Sequence, residues 1–383
     1  MVRAAPRNIP IAVPRMPETD ALLPYLRRID EARYYSNFGP LIGNFEARAA
    51  SSLGVAPEAL TTMSSSTAAL TLALRSGNAA PGTLCLMPAW TFPASAHAAR
   101  EAGLTPFLAD VTRESWALTP EIARAALRRA HAKLGAVMPV APFGAPIDYT
   151  AWDCFAEETG IAVVIDGAAA FDRARPGRAP VALSLHATKV LGVGEGCLLV
   201  SRDHDLIARA RSLSNFGFRH SREADLAGLN AKLSEYSAAV DLAALDAWPI
   251  VRIGYVRLGQ AYAAALSAVA GVSVMPGFGE GWAGASCNVE FDQPRATYVA
   301  RDLAAQGIES RHWWVQGCHR QRAFASCPRT ELAATEHLAG HTLALQFHLR
   351  LGPAALNRII MTLAASLGAN IEAPEDMATA LAG

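Results

Sequence analysis

Lys189 is the first candidate for a chemical role in this sequence. The chain has 34 basic residues, of which only Lys133, Lys189 and Lys232 are lysines. A lysine amine can lose its proton and attack a carbonyl carbon, whereas the guanidinium group of arginine stays protonated. A glycine-rich stretch, 192–196, follows Lys189 and allows the backbone to approach a ligand closely. Lys189 is therefore a candidate for a Schiff base with a carbonyl compound, although a surface lysine on a turn gives the same local pattern.

Asp166 is the second candidate, because it ends the apolar run 161–165. Ligands of parallel sheets bind beyond the carboxyl ends of the strands. A carboxylate there suits pyridoxal 5′-phosphate (PLP), whose protonated ring nitrogen needs an acidic partner before the ring can act as an electron sink. The same aspartate could also cap a turn or bind a metal ion or a ribose.

The third candidate is a run of small hydroxyl residues, Ser64 to Thr67, that leads into a helical pattern. Free N–H groups and the helix dipole favour an anion at such a point, and hydroxyl groups add donors. The run predicts a phosphate-binding helix start. Ordinary capping by serine or threonine is the competing explanation.

Alternating apolar runs and amphipathic stretches must position these residues. Helices are predicted at 66–77, 95–103, 120–133 and 149–159, and strands at 84–88, 105–110, 137–140 and 161–165. This alternation predicts an α/β protein with a mostly parallel sheet in a large three-layer domain. Two further strands, 181–185 and 197–200, place Lys189 on the tight connection between them.

A second, smaller α/β domain is predicted after a long helical stretch that starts near Ser234 and is interrupted at Pro249. Its elements are 285–291, a helix at 295–306, and 308–314. We expect the domains to cover residues 1–248, with the N-terminal segment, and 249–383.

Composition narrows the class of partner. Basic and acidic residues both number 34, so no basic excess points to nucleic acid or to a membrane surface. Residues 1–10 lack the pattern of a signal peptide, and no apolar run approaches the ~18 residues of a membrane span. We expect a cytoplasmic protein that binds small molecules.

The three candidates, in this order, resemble the layout of fold-type-I PLP enzymes, and the chain resembles the DegT/DnrJ/StrS-type sugar aminotransferases over most of its length. The stretches that carry the resemblance are NFGPLIGNFEARAA (37–50), SSSTAALTLAL (64–74), MPAWTFPASAHAAREAGLTPFLADV (87–111), PFGAPIDY (142–149), VVIDGAAA (163–170), SLHATKVLGVGEG (184–196), SNFGF (214–218) and GLNAKLSEYSAA (228–239).

The resemblance implies a role for each matching residue. Lys189 would form the Schiff base and move the proton during transamination. Asp166 would pair with the pyridine nitrogen, and Phe92 would stack on the ring. The implied phosphate ligands are Ser66, Thr67, Ser184 and, from a neighbouring subunit, Asn230. A homodimer with shared active sites follows from that last match.

Three positions depart from the family pattern. Ser66 stands where the phosphate cup usually has glycine, which requires a negative φ at this residue. Ala169 stands where glutamine or histidine usually lies near the phenolic oxygen of the cofactor, and Lys232 replaces the usual arginine. No metal ion is implied.

The implied activity is transfer of an amino group from an amino acid, L-glutamate, to a keto sugar on a nucleotide, in amino-sugar and polysaccharide biosynthesis. Amination of a ketocyclitol is one alternative, and a non-catalytic PLP-binding homologue is another. A PLP-dependent sugar dehydratase is disfavoured, because related dehydratases have histidine at the position of Lys189.

The remaining reactive side chains have simpler interpretations. No CxxC spacing occurs, and we interpret the six cysteines as packing thiols. The histidines near the C-terminus lack a metal-binding motif and are interpreted as core or solvated residues. Trp313 and Trp314 could pack against a sugar or nucleotide, but neighbouring aromatic residues on a strand usually divide between core and surface.

Overall fold

The computed structural model describes residues 8–77, 79–130, 132–219 and 221–369. The helices within these ranges are α1 (Thr19–Ala32), α2 (Pro40–Leu53), α3 (Ser66–Ser76), α4 (Pro93–Glu101), α5 (Pro120–Arg129), α6 (Tyr149–Thr159), α7 (His204–Ser214), α8 (Glu235–Ser267), α9 (Ala296–Ala305), α10 (Ala333–His341) and α11 (Pro353–Leu367). The strands are β1 (Leu60–Met63), β2 (Leu84–Pro88), β3 (Thr105–Ala109), β4 (Leu134–Val137), β5 (Ala162–Val163), β6 (Ile165–Asp166), β7 (Val181–Ser184), β8 (Cys197–Val200), β9 (Val272–Val274), β10 (Cys287–Phe291) and β11 (Thr342–Leu345).

Two four-stranded sheets form the larger part of the fold. Strands β3, β2, β4 and β5 lie side by side in that order and are all parallel. The second sheet has the order β1, β8, β7, β6, in which only β8 runs against its neighbours. A parallel bridge between Val140 and Asp166 joins the two sheets. The predicted α/β class with a mostly parallel sheet is confirmed.

The register of the second sheet brings several strand ends to one edge. Cys197 of β8 pairs with Met63 of β1 on one side and with Ser184 of β7 on the other. Asp166 of β6 pairs with Ala182 of β7. Strands β1, β6 and β7 therefore end near one another, and the segments that follow them start from the same edge.

Two predicted strands are corrected in the structure. The run 161–165 is not one strand, because Val164 donates its N–H to Val137 and Ile165 donates to Pro180. The chain thus changes partners within two residues, and β5 and β6 belong to different sheets. The strand expected at 137–140 lies earlier, as β4, and only the bridge from Val140 extends it.

Helix α8 passes through Pro249 without a break, so the predicted interruption is wrong. A proline removes one helical hydrogen bond and strains the preceding turn. Buried side chains on both sides, such as Leu245 and Val251, anchor the helix against the core and offset that cost. The expected domain boundary at 248 and 249 lies inside this helix, and the division into domains stays a prediction.

The C-terminal part of the chain contains the antiparallel sheet β11, β10, β9 and helices α9 and α11. Residues 308–314 were expected to join this layer as a regular element, but only two isolated bridges form there, from Ile308 to Ile9 and from Arg311 to Ala344. The N-terminal segment therefore contacts this region. Within the described ranges, no single helix has both the length and the apolar character that crossing a bilayer requires.

Candidate active site

Helix α3 starts directly beyond β1, at the edge where β6 and β7 also end. Ser65 is its N-cap, and the Ser65 hydroxyl accepts the N–H of Ala68 at 3.2 Å. Ser66 and Thr67 occupy the first two helical positions and are half-buried. Ser66 lies outside the left-handed region of φ, so the condition for serine in place of glycine is met. The first turn of α3 can therefore receive an anion.

Asp166 is 5% exposed and has hydrogen-bond donors for both carboxylate oxygens. The Ser95 hydroxyl donates to Oδ2 at 2.7 Å, and the Ala168 N–H donates to Oδ1 at 3.1 Å. Burial raises the pKa of Asp166, while these two hydrogen bonds and the charge of Lys189 act to lower it. A cation placed beside Asp166 would favour its ionised form further.

Lys189 lies on the connection between β7 and β8, as predicted. This loop folds on itself through hydrogen bonds from the Lys189 N–H to His186 O, at 2.8 Å, and from the Ala187 N–H to Gly194 O, at 2.9 Å. A Cβ atom at Gly192 would lie 2.4 Å from the Ala187 oxygen, so the tight loop requires glycine there. Burial lowers the pKa of the Lys189 amine, and the charge of Asp166 acts in the opposite direction.

Ser184 and Phe92 approach this edge from β7 and from the segment after β2. Ser184 is buried, and its hydroxyl accepts the His186 N–H at 3.2 Å. Phe92 is the N-cap of α4 and is 56% exposed, which is unusual for a large aromatic residue. Phe92 begins the helix whose Ser95 donates to Asp166, and its exposed ring provides a face on which a planar ligand can stack.

Asn230 is exposed in this chain, and its Oδ1 accepts a hydrogen bond from Lys232 Nζ at 2.8 Å. Lys232 also lies 4.7 Å from the centre of the Phe216 ring. The next residue, Ala231, accepts the Ser64 N–H at 2.8 Å within the same chain. The segment that carries Asn230 thus borders the α3 start of its own chain. Contact of Asn230 with a neighbouring subunit stays a prediction.

Ser95 was not among the predicted site residues, although it donates the shorter hydrogen bond to Asp166. It lies in the first turn of α4, and Thr91 Oγ1 lies 3.0 Å from Ser95 Oγ. The available signal was its position three residues after Phe92, beyond the end of a strand that runs parallel to its neighbours. Sequence alone does not pair Ser95 with a residue 71 positions away.

Ala169 leaves the position of the expected polar side chain without a hydrogen-bonding group. Its backbone packs closely on Gly144, where a Cβ atom would lie 2.3 Å from the Ala169 oxygen. Phe143, which precedes Gly144 in the chain, stacks on Trp314 with ring centres 4.0 Å apart. The Trp90 ring packs edge-on against Trp314, with centres 5.3 Å apart. A cluster of aromatic rings therefore includes the residue that precedes Gly144, the glycine packed on Ala169.

Trp314 is buried and Trp313 is half-buried. Five of the six cysteines are buried, as packing thiols should be, whereas Cys154 is exposed. No group of three or more histidine, cysteine and acidic residues that could hold a metal ion occurs in the described part of the chain.

Together these residues fit PLP. The buried Asp166 carboxylate matches a protonated ring nitrogen, the exposed Phe92 ring matches an aromatic face, and the α3 start with Ser184 matches a phosphate group. Lys189 supplies an amine whose pKa is lowered and whose charge interacts with that of Asp166. The fit depends on the chemical types of these side chains, which are brought to one edge of the sheet.

Comparison with known proteins gives consistent results. Residues 18–364 match the model of the DegT/DnrJ/EryC1/StrS aminotransferase family. The dTDP-4-amino-4,6-dideoxy-D-glucose transaminase of Shigella dysenteriae is 26% identical over 92% of this chain and 97% of its own.

Two solved structures superpose on most of the chain. A protein of Bacillus cereus described as a PLP-dependent aminotransferase has a TM-score of 0.86 at 26% identity and covers 93% of this chain and 100% of its own. DesI, solved in the presence of its TDP-sugar product, has a TM-score of 0.84 at 30% identity, over 94% and 93%. The folds agree over nearly the full length of both proteins.

Proposed function

Because this chain belongs to the DegT/DnrJ/EryC1/StrS aminotransferase family and is a PLP-dependent aminotransferase of fold type I, we propose that it transfers an amino group from L-glutamate to a keto sugar carried on a nucleotide. The observation that carries the proposal is the interaction between the charges of Lys189 and Asp166, with Asp166 held by Ser95 at the edge where α3 begins. The names of the Shigella transaminase and of DesI with its TDP-sugar product support the acceptor class.

The proposed roles follow from the chemistry of each residue. Bound PLP supplies an electron sink for the α-carbon of the amino compound. Asp166 would hold the proton on the ring nitrogen, and Ser95 and the Ala168 N–H hold Asp166. The first turn of α3, with Ser66 and Thr67, would bind the phosphate.

Lys189 would bind the cofactor through Nζ and then carry a proton to and from the α-carbon. A lysine can do this only when part of its population is neutral, and burial lowers its pKa in that direction. Phe92 would hold the ring plane from one face. Ser184, which is buried next to the Lys189 loop, would add a phosphate contact.

We also propose a homodimer in which Asn230 of one subunit reaches the phosphate of the other. Exposed apolar residues near this segment, including Phe216 and Leu229, support a covered surface there. Asn230 presents its amide group to solvent while its oxygen is held by Lys232. Active enzyme that sediments only as a monomer would contradict this part of the proposal.

The direct test uses purified holoenzyme with glutamate and a panel of acceptors. We expect the visible absorption of the cofactor to change on addition of glutamate, and nucleotide-linked keto sugars to be aminated. Lys189→Ala should abolish turnover, whereas Lys133→Ala, which removes an exposed lysine outside the site, should retain it.

The alternatives give different results in the same experiment. Turnover of free ketocyclitols without turnover of keto sugar nucleotides would replace the acceptor in the proposal. A cofactor spectrum that no amino donor changes would identify a non-catalytic PLP-binding homologue, for which Ala169 would be one structural reason.

A further inference from the structure

Glu46 is a buried carboxylate that the proposed chemistry does not use. It lies in α2, is 7% exposed, and forms an ion pair with Arg211 of α7, whose Nη1 is 2.9 Å from each carboxylate oxygen. A charged group inside a protein needs an opposite charge and hydrogen-bond donors to offset its loss of hydration. The other donors to Glu46 therefore show which part of the chain this residue holds.

Those donors belong to Thr62 of β1. The Thr62 N–H donates to Glu46 Oε1 at 2.8 Å, and the Thr62 hydroxyl donates to the same oxygen at 2.9 Å. Among the described strands β1 pairs with β8 alone, so N–H groups on its outer edge have no strand partner. The Glu46 carboxylate takes the place of that partner at Thr62. It thus fixes the last part of β1 against α2 and, through Arg211, against α7.

A second connection joins α7 to the residue that follows β1. The Ala231 N–H donates to Ser214 O at 2.9 Å, and the Ser64 N–H donates to Ala231 O at 2.8 Å. Ser214 is the last residue of α7 and lies one turn from the arginine of the ion pair. The last turn of α7 therefore holds the chain on both sides of Met63, through Thr62 on one side and Ser64 on the other.

These two attachments lie directly before the start of α3. Ser65 is the N-cap of that helix, and Ser66 and Thr67 are its first two helical positions. The free N–H groups of a first turn point along the helix axis, so the place where β1 ends sets the direction in which they donate. Hydrogen bonds weaken steeply when they are misaligned. A shift of β1 would therefore weaken the binding of an anion at this turn.

We propose that Glu46 is a positioning residue for the phosphate group of the cofactor. It does not touch the phosphate, but it holds Thr62 and, with Arg211, sets the point from which α3 begins. This inference rests on the proposed function, in which the first turn of α3 binds that phosphate. It gives α2 a part in cofactor binding, although none of the residues assigned to the cofactor lies in that helix.

The test compares PLP with 5′-deoxypyridoxal, which has the same ring and aldehyde but lacks the phosphate. The dissociation constant of each is measured on the full-length enzyme after its cofactor has been removed, from the change in visible absorption on binding. The ratio of the two constants reports the contribution of the phosphate. A general loss of structure weakens the binding of both compounds, whereas a misplaced phosphate-binding turn weakens that of PLP alone.

Two variants change the contacts of Glu46. Glu46→Ala removes every acceptor, whereas Glu46→Gln keeps one oxygen for Thr62 but directs an amide NH₂ group at Arg211. Asp110→Ala is the matched control. Asp110 also accepts from the N–H and the hydroxyl of one threonine, Thr335, at 2.8 and 2.7 Å, but it does so near the start of α10.

We expect the preference for PLP over 5′-deoxypyridoxal to fall at least about tenfold in Glu46→Ala, the usual effect of losing one hydrogen bond to a charged group. Glu46→Gln, which keeps the contact with Thr62, should lower it by a smaller factor of roughly threefold or more. The preference should stay at the wild-type value in Asp110→Ala, because that variant leaves β1 and α3 unchanged.

A wild-type preference in both Glu46 variants, or an equal fall in Asp110→Ala, would overturn the inference and leave the proposed function intact. If Glu46→Ala does not fold, Glu46→Gln decides, and a wild-type preference in that variant overturns the inference. A wild-type enzyme that binds PLP no more tightly than 5′-deoxypyridoxal would instead overturn the assignment of the phosphate to the start of α3, and the inference with it.

Discussion

Asp166 and Asp241 are both buried carboxyl groups, but they lie in different surroundings. Asp166 ends β6 at the edge of the sheet, where Ser95 and the Ala168 N–H donate to its two oxygens. Asp241 lies within α8, is 0% exposed, and neither of its oxygens has a partner in the described chain. Burial raises the pKa of both, and it raises that of Asp241 well above the usual value because nothing opposes it.

The difference follows from the backbone around each residue. Beyond a strand end, backbone N–H groups lack a backbone partner, and they and the hydroxyl groups at helix starts can donate hydrogen bonds to a side chain. Inside a helix the N–H groups already bond to carbonyls one turn away, and the neighbours Ala238, Leu242 and Leu245 offer no donors. Hydrogen-bond donors therefore oppose the rise in the pKa of the carboxyl at the edge of the sheet, whereas nothing opposes it in the helix.

The largest expected effect comes from Asp166→Asn. Asparagine keeps the shape of the side chain but cannot hold a positive charge on the ring nitrogen of the cofactor. We expect kcat for transamination to fall by at least about 100-fold, as when a charge-stabilising group is removed from an active site. The matched variant Asp241→Asn should keep wild-type kcat, and equal activity in the two variants would remove the distinction between the carboxyls.

Asp241→Asn should change stability instead. The folded-state pKa of Asp241 is raised, so its favourable contribution is complete below the unfolded-state pKa of about 3.9 and is lost as the pH rises towards the folded-state value. The variant lacks this dependence. We expect its free energy of unfolding, relative to wild type, to grow by ~1–3 kcal/mol between pH 4 and pH 7.

Chemical denaturation at the two pH values measures this change. Asp166→Asn, measured in the same way, is the comparison for a carboxyl that has donors. A relative stability of Asp241→Asn that stays constant from pH 4 to pH 7 would mean that this carboxyl is ionised in the folded protein.

Local sequence singled out one of these carboxyls and not the other. A strand end and a glycine-rich connection made Asp166 and Lys189 candidates, and the resemblance to the family supplied their roles. The isolation of Asp241 depends on what packs around α8, and the continuity of α8 through Pro249 depends on the same contacts. The division of 161–165 between two sheets likewise depends on partners elsewhere in the chain.

Ser95 was missed for the same reason, since its contact with Asp166 depends on how β2 and β6 are placed in the fold. Asn230 illustrates the opposite limit. Its motif could be recognised, but a single chain shows only its exposed side chain beside Lys232. Sequence thus predicts which residues reach the edge of the sheet better than it predicts what pairs with them there.

The smallest expected effect, and the one that tests how a hydrogen-bond donor acts on the pKa of Asp166, comes from Ser95→Ala. The Ser95 hydroxyl lowers the pKa of Asp166, so its loss should raise that pKa, and activity should then fall at a higher pH as the solution is acidified. We expect a loss of kcat/KM of roughly fivefold to tenfold at neutral pH, the usual effect of losing one ordinary hydrogen bond. The pH profile of kcat/KM measures the shift, with Ser267→Ala on the exposed face of α8 as the control. A loss of the same size at every pH, with no shift in the pH at which activity falls on the acidic side, would mean that Ser95 only packs against Asp166. The hydrogen bond would then not be what distinguishes Asp166 from Asp241.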